Sequence, residues 1–374
     1  MSGNLRKKAD IKPVNNTSCE AQAAMNVKDK ETFAKEFYSR QVILKELGQK
    51  GQRKLCESKI AVVGIGGLGT VSSLYLVLAG VGHLRLIDQD IVETRNLHRQ
   101  ILYSVDDLDY PKAEVAAARL EKLNPLVKAE PISENLRAGN VERLLDGVDL
   151  VVDGLDNMAS RYLINRACVK LKVPYVFGAA IGMEGNLSVF SPPETPCLEC
   201  VLPNLSDNDL LRCDTHGVLG ATPGIIGAMQ AMEAIKVLTG VGAPLKSKLM
   251  ICDFNDMSFT TIDIAKRANC PACKGTLPAE LRERLVWLCG RNTANINPEK
   301  PLPLNLNQVC KVVQQRGFHV RVKSSLALMF EYKGLEVSLF NGGRMLIKNV
   351  PDEKSALKAY REILQTLNLN QTNQ

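Results

Sequence analysis

A glycine-rich turn follows a short apolar run at residues 60–69, which read "IAVVGIGGLG". In such a turn the first glycine permits a tight bend, the second lets the backbone approach a phosphate, and the third lets the helix pack on the strand. The free N–H groups that begin the next helix bind anions. Asp88 ends the following predicted strand, 19 residues beyond Gly69, where a carboxylate can accept hydrogen bonds from ribose hydroxyls. The pattern predicts nucleotide binding and leaves open a dehydrogenase, a flavoprotein or an enzyme that consumes ATP.

The segment after Asp88 is unlike that of a dehydrogenase because it is polar and cationic. Arg95, Asn96 and Arg99 follow the predicted ribose-binding acid, and Lys112 begins a predicted helix. A cation at a helix N-terminus opposes the helix dipole, so a bound polyphosphate would explain its presence. The alternative is that Arg99 and Lys112 are solvated surface charges.

Two carboxylates, Asp153 and Asp156, end the run "VDLVVDGLDN". Both would lie near the carboxyl end of the predicted sheet, where ligands bind in open α/β folds. Because a carboxylate beside a triphosphate suits Mg²⁺, this stretch is a candidate metal site.

Four of the eleven cysteines form two Cys-x-x-Cys pairs, Cys197 with Cys200 and Cys270 with Cys273. Four thiolates suit tetrahedral zinc, and because the protein supplies all four ligands, the site should be structural. The metal would then clamp two distant segments of one domain. A redox-active pair is the rival interpretation, but two pairs without a thioredoxin-like context favour metal. Metal-binding cysteines indicate a reducing compartment, and we expect a cytoplasmic protein.

The elements that must position these residues alternate between strands and helices, which implies a parallel sheet. Helical spacing at residues 31–56 precedes this alternation. Predicted strands cover residues 60–63, 83–88, 127–132, 148–153, 174–178, 185–190 and 248–264. Predicted helices cover residues 69–80, 112–123, 138–145, 158–171 and 224–239. The predicted fold class is therefore α/β: a Rossmann-like, mostly parallel sheet with flanking helices and a structural zinc site.

Three segments are expected along the chain. Residues 1–30 are polar without the apolar run of a signal peptide, and we predict a mobile tail. The nucleotide-binding domain would span residues 31–275. Residues 276–374 would form a small α+β domain, because helical patterns flank short alternating runs that "NGG", a hairpin signal, divides. We expect this domain to serve in docking or dimerisation, and it lacks the cysteine-centred loop of a rhodanese.

Composition is that of an ordinary globular protein, with 374 residues, 45% hydrophobic and 23% charged. The net charge of +7 favours anionic partners in general. Without a basic stripe of interleaved aromatic residues, no direct nucleic-acid binding is expected. No apolar run approaches the length of a membrane span, so no membrane partner is expected either.

A family resemblance rests on the motifs "GIGGLG", "LIDQDIVETRNLHRQ", "PKAE", "LDN…R", "GAAIGMEG", "PCLEC", "GVLGATPGIIGAMQAMEAIK" and "CPAC", in that order. The chain resembles the E1-like activating enzymes over residues 36–275, and within them the ThiF/MoeB/HesA branch. The resemblance implies an adenylyltransferase that uses ATP and Mg²⁺ to adenylate the C-terminal glycine carboxylate of a small ubiquitin-like or sulfur-carrier protein ending in Gly-Gly. It implies that the nucleotide is ATP and that the reaction serves sulfur transfer.

The resemblance also assigns roles to single residues. Arg99 and Lys112 would neutralise the triphosphate, and Asp156 would hold Mg²⁺. Arg40 would reach the ATP of the partner subunit in a homodimer, and Cys213 would form a covalent link to the carrier in some branches. The expected nucleotide-binding residues are Gly64, Gly66, Gly67, Gly69, Asp88, Asp90, Asn96, Arg99, Lys112, Asp156 and Asn157.

Two other functions remain open on the sequence. An NAD-dependent oxidoreductase would use the same glycine-rich turn and Asp88, but it leaves Arg99, Lys112 and Asp156 without a role. A non-catalytic scaffold would retain a degenerate nucleotide site and zinc, with the C-terminal domain binding a partner. For Cys213, the alternative to a covalent role is an unreactive loop cysteine.

Overall fold

The computed structural model describes residues 26–205, 216–275, 292–298 and 302–369, together with the backbone of residues 285–288. These residues form two units, each built around its own β-sheet. Three helices precede the first strand: α1 (Val27–Phe37), α2 (Ser39–Val42) and α3 (Gly48–Glu57). Within the described ranges, no helix combines the length and apolar character needed to span a bilayer.

An eight-stranded sheet forms the larger unit. Its strands are β1 (Lys59–Val63), β2 (His83–Ile87), β3 (Lys128–Ile132), β4 (Leu150–Asp153), β5 (Tyr175–Ile181), β6 (Glu184–Phe190), β7 (Lys248–Asp253) and β8 (Ser258–Asp263). They lie in the order β3-β2-β1-β4-β5-β6-β7-β8. The first five are parallel, and β6, β7 and β8 continue the sheet antiparallel. The strand order reverses between β1 and β4, which is where ligands bind in open α/β sheets.

Helices cover both faces of this sheet. They are α4 (Gly67–Ala79), α5 (Lys112–Leu123), α6 (Val141–Leu145), α7 (Met158–Leu171), α8 (Leu198–Val201), α9 (Ala221–Thr239) and α10 (Pro271–Lys274). Because side chains alternate along a strand, Ile60 and Val62 of β1 pack among α4, α5 and α9, whereas Ala61 and Val63 pack against α6 and α7. The predicted Rossmann-like, mostly parallel sheet with flanking helices is confirmed.

The smaller unit is a six-stranded antiparallel sheet in the order β11-β12-β13-β14-β10-β9. Its strands are β9 (Leu285–Leu288), β10 (Thr293–Ile296), β11 (Val320–Lys323), β12 (Ala327–Tyr332), β13 (Leu335–Phe340) and β14 (Met345–Lys348). Helices α11 (Leu306–Gln315) and α12 (Glu353–Thr366) pack on one face. The predicted α+β class of this unit is confirmed, and the "NGG" turn joins β13 to β14.

Candidate functional site

The glycine-rich turn joins β1 to α4, and its glycines are under different structural constraints. A Cβ on Gly69 would lie 1.9 Å from the carbonyl oxygen of Gly64, so close packing of helix on strand excludes a side chain there. Gly64 has a φ of +86°, which side-chain-bearing residues rarely adopt. At Gly66 the nearest atoms to such a Cβ are 3.7 Å away or more. Internal packing does not require glycine at position 66, and that space is open to a ligand.

Asp88 follows β2 and lies against the glycine-rich turn. Its carboxylate accepts hydrogen bonds from the backbone N–H groups of Ile65 and Asp90, both at 2.7 Å. Burial raises the pKa of the Asp88 carboxyl, and the positive charge of Lys112 opposes that rise. Since a carboxylate has about four acceptor sites, two remain for ribose hydroxyls. Asp88 therefore shapes the turn, a role that the sequence did not predict, and its predicted contact with a ribose stays a prediction.

Lys112, the first residue of α5, is buried with 5% of its surface exposed. Its ammonium lies 3.1 Å from a carboxylate oxygen of Asp90. Burial alone would lower the pKa of Lys112, but the charges of Asp90 and Asp88 together raise it above the ordinary value. Lys112 is thus a permanent buried cation, and the interpretation as a solvated surface charge is wrong for this residue.

Asn96 and Gln100 present buried polar atoms at the same place. Asn96 is 4% exposed and Gln100 is 3% exposed. The side-chain oxygens of both lack a hydrogen-bond partner among the residues that the structure describes. A buried polar atom without a partner is rare in folded proteins, because its desolvation is not compensated. These two oxygens fit a site completed by a ligand; Gln100 was not foreseen.

Arg99 is half-buried beside the same turn. Its guanidinium lies 2.9 Å from the carbonyl oxygen of Arg95 and 3.0 Å from Nε2 of His98. A Cβ on Gly67 would lie 3.7 Å from the Arg99 side chain and 3.0 Å from Pro223 of α9. The structure therefore brings Arg99 together with the glycine-rich turn.

Tyr103 is a buried residue of this region that the sequence analysis missed. Its hydroxyl donates to the carbonyl oxygen of Ile65 at 2.9 Å and lies 3.3 Å from that of Lys112. It thereby ties the glycine-rich turn to the start of α5. A single tyrosine in an irregular segment carries no spacing signal, so pattern reasoning could not have found it.

Asp153 and Asp156 differ in their surroundings. Asp153 is fully buried, accepts from the Tyr175 hydroxyl at 2.6 Å, and pairs with Arg161 at 3.1 Å. Asp156 is exposed, and its charge contributes to raising the pKa of Lys112. Asp153 is therefore a structural residue, and Asp156 is the carboxylate available to a metal.

Asn157, the last of the predicted nucleotide-binding residues, caps helix α7. Its side-chain oxygen accepts from the backbone N–H of Ser160 at 2.9 Å, which satisfies one of the free donors of the helix. Its amide nitrogen lies 3.3 Å from the Asp156 carboxylate. Asn157 thus caps α7 and contacts the side chain of Asp156.

Arg40 is exposed and lies apart from these residues. Its neighbour Gln41 donates a hydrogen bond to the carbonyl oxygen of Ala79, the last residue of α4, at 2.9 Å. The glycine-rich turn lies at the other end of that helix, about 18 Å away at 1.5 Å per residue. The structure therefore does not bring Arg40 to the candidate nucleotide site of its own chain.

The four cysteines of the two pairs converge, as predicted. The sulfur of Cys197 lies 3.8 Å from that of Cys200, 3.7 Å from that of Cys270 and 3.5 Å from that of Cys273. A tetrahedron with zinc–sulfur bonds of about 2.3 Å has edges of about 3.8 Å, whereas a disulfide is about 2.05 Å long. The cluster has the size of a zinc site. Cys213 lies outside the described residues.

Comparison with known proteins decides the family. The sequence profile of the ThiF family matches residues 38–272, which is more than half of the chain. The chain belongs to the ThiF family. The glycine-rich turn, the acidic and cationic residues around it and three of the four clustered cysteines lie within the matched range, which ends one residue before Cys273.

Named ThiF-family relatives include the adenylyltransferase and sulfurtransferase MOCS3 of Drosophila persimilis, 40% identical over 79% of this chain and 65% of that protein. The sulfur carrier protein adenylyltransferase of Thermus thermophilus is 41% identical over 63% of this chain and 89% of that protein. The chain spans less than two-thirds of the length of the MOCS3 relatives that it matches. The larger unit is thus similar to proteins named as adenylyltransferases.

Solved structures share the fold of this ThiF-family unit. Escherichia coli MccB, in a crystal structure with MccA-N7isoASN, superposes with a TM-score of 0.57 at 24% identity. The match covers 69% of this chain and 85% of that one. At this identity the likeness supports the fold alone.

Proposed function

We propose that this protein uses ATP and Mg²⁺ to adenylate the C-terminal glycine carboxylate of a small ubiquitin-like or sulfur-carrier protein, releasing pyrophosphate as a step in sulfur transfer. The observation that carries the proposal is the buried cation Lys112, held beside Asp90, with the negative charge of exposed Asp156 also raising its pKa. A dinucleotide-dependent dehydrogenase has no need of this group. An adenylyltransferase needs it to offset the charge of a triphosphate.

The chemistry requires positioning and charge more than acid–base catalysis. A carboxylate is already ionised at neutral pH, so it attacks the α-phosphate without a general base. The bond between the α-phosphorus and the oxygen that bridges it to the β-phosphate breaks. Negative charge therefore grows on the pyrophosphate that leaves. Preorganised cations stabilise such charge in the transition state. Lys112 and Arg99 are the cationic residues that would do so here.

The remaining residues would bind and orient the nucleotide. Asp88 would accept from the ribose hydroxyls, and the open backbone at Gly66 would approach the phosphates. The unpartnered oxygens of Asn96 and Gln100 supply further acceptors. Asp156 would hold Mg²⁺, which when bound supplies positive charge to phosphate oxygens. The four cysteines would hold zinc in a structural role.

Arg40 would complete the site of a partner subunit in a homodimer. Two observations support this: its segment is anchored at the far end of α4, and its neighbours Ile43 and Leu44 are 70% and 54% exposed. An exposed apolar pair beside an exposed cation suits an interface between copies of the chain.

Isotope exchange between pyrophosphate and ATP tests the proposal. The wild-type protein is assayed with Mg²⁺ and, in turn, with each small protein of the same genome that ends in Gly-Gly. One of these pairings should support exchange. Asp156→Asn should reduce exchange at least about 100-fold, because it removes a charge needed in the transition state. The matched control is Asp263→Asn, which removes an acid on the exposed strand β8 and should leave the rate unchanged.

Three results would contradict the proposal. Full exchange by Asp156→Asn would remove that residue from the site. Thermal stabilisation of the protein by NAD but not by ATP would favour the oxidoreductase. Absence of exchange with every Gly-Gly protein, together with ATP binding, would favour the non-catalytic scaffold.

A further inference from the structure

The smaller unit packs on the segment that carries most of the nucleotide site. The face of its sheet away from α11 and α12 contributes Val322, Ala327, Met329, Phe340 and Leu346 to an apolar cluster with Ile91 of the larger unit. Ile91 lies between Asp90 and Asn96, in the connection from β2 to α5. The C-terminal sheet therefore covers the connection that supplies Asp88, Asp90, Asn96, Arg99 and Lys112.

Polar contacts extend the same interface along that connection. Arg321 lies 2.7 Å from the carboxylate of Asp109, and the Ser325 hydroxyl lies 2.6 Å from that of Glu114. These contacts are exposed at the margin of the interface. Exposed pairs of this kind contribute little to stability.

Arg344 makes the buried polar contact at the centre. It follows the "NGG" turn between β13 and β14 and is 4% exposed. Its guanidinium donates to the carbonyl oxygen of Gln89 at 2.7 Å and to that of Ser133 at 3.3 Å. Gln89 and Ser133 follow the ends of the paired strands β2 and β3. Arg344 thus bridges the carboxyl ends of two parallel strands at the point where their own pairing stops.

Two further residues orient the Arg344 guanidinium. It stacks over the Phe340 ring, with Cζ 3.5 Å from the ring centroid. It also donates to Oδ1 of Asn295 at 3.3 Å, and the amide of Asn295 in turn donates to Oε1 of Gln89 at 2.9 Å. Gln89 is therefore held by its backbone and by its side chain, both from the smaller unit.

The charge of Arg344 suits its neighbours. Burial lowers the pKa of Arg344 to about 9, and the carboxylates of Asp90 and Asp88 oppose that effect. The guanidinium is therefore cationic at neutral pH. With Lys112, it supplies a second positive charge to the acidic pair that flanks Gln89.

From this geometry we infer that Arg344 is a positioning residue for the nucleotide: by binding the Gln89 carbonyl it holds Asp88 and Asp90 in place, which makes the smaller unit part of the ATP site. The inference rests on the proposed function, since it assumes that this segment binds ATP. A planar guanidinium reaches two carbonyl oxygens at once, which a lysine ammonium at the same position does less well. Through this contact, the packed C-terminal sheet orders the segment that would bind the ribose.

The test uses the full chain: calorimetry measures the binding of MgATP alone, and pyrophosphate exchange is measured separately with the carrier added. Arg344→Met keeps an apolar side chain on Phe340 and removes all donors. It should weaken MgATP binding at least about 10-fold, and Arg344→Lys should recover part of the loss. The matched control is Arg321→Met, which breaks a marginal contact of the same interface and should change affinity less than about twofold.

The kinetic pattern separates positioning from general stabilisation. Arg344→Met should raise KM for ATP in parallel with the dissociation constant of MgATP. Its kcat at saturating ATP should fall less than about threefold. A lower kcat with unchanged KM means a smaller folded fraction and overturns the inference. If Arg344→Met does not fold, Asn295→Ala replaces it: affinity should fall about threefold, and unchanged affinity contradicts the inference.

The same experiment separates this inference from the proposed function. Wild-type protein that binds no MgATP refutes both. Wild-type protein that binds MgATP and catalyses exchange, with Arg344→Met equal to it in affinity, refutes the role of Arg344 alone and leaves the proposed adenylation intact.

Discussion

The candidate nucleotide site and the four-cysteine cluster lie in the same unit, and both join segments that are distant in the sequence, but they differ in completeness. At the cluster, four sulfur–sulfur distances of 3.5–3.8 Å are close to the edge length of a zinc tetrahedron. At the candidate nucleotide site, the buried oxygens of Asn96 and Gln100 have no partner within the part of the chain that the structure describes. The cysteine cluster is closed on itself, whereas the candidate nucleotide site has buried polar groups without a partner among the described residues.

This difference implies that substitutions will act on different quantities. Changes at a closed metal site remove folding free energy, because metal binding there is coupled to folding. Changes at an open ligand site remove binding or transition-state stabilisation and leave the apo fold intact.

The largest effect on stability is expected at the cluster. Cys270→Ser should lose zinc in elemental analysis and about 4 kcal/mol of stability, which lowers Tm by roughly 8–16 °C. Cys252→Ser is the matched control: that thiol is equally buried, on β7, outside the cluster. This variant should keep the metal, and its Tm should stay close to that of the wild type. A metal-free wild-type protein with a Cys197–Cys200 disulfide and full activity would contradict the zinc assignment.

Two glycines of one turn should respond in opposite ways. Gly69→Ala places a methyl group 1.9 Å from a backbone oxygen, so we expect a loss of about 2–4 kcal/mol in thermal unfolding. Gly66→Ala meets no atom within 3.7 Å, so its Tm should stay near that of the wild type while MgATP affinity falls about 10-fold. Wild-type affinity in Gly66→Ala would show that the open space at this glycine is not occupied by the nucleotide.

The smallest signal comes from subunit mixing. If Arg40 acts on the partner's site, Arg40→Ala and Asp156→Asn are each inactive as homodimers. When the subunits of the two variants mix at random, half of the dimers are hybrids, and each hybrid has one intact site. The mixture should therefore recover about one-quarter of the wild-type rate of pyrophosphate exchange. No recovery after confirmed subunit exchange would place Arg40 outside the partner's site.

The sequence alone determined the features that depend on local pattern. Alternating strand and helix signals predicted the α/β unit, and the glycine spacing predicted the turn between β1 and α4. The two Cys-x-x-Cys pairs predicted the cluster, because zinc imposes a strict ligand type and spacing. In each case, the signal lies in residues that are neighbours along the chain or in a repeated motif.

Tertiary structure alone decided which of several similar residues has which role. Asp153 and Asp156 are three residues apart, but only folding places Arg161 and Tyr175 against the first and leaves the second exposed. From the sequence Lys112 could equally be a surface charge, and only the fold buries it beside Asp90. Arg344 bonds to a carbonyl oxygen 255 positions away in sequence. Such roles arise from burial and long-range contact, which no local spacing encodes.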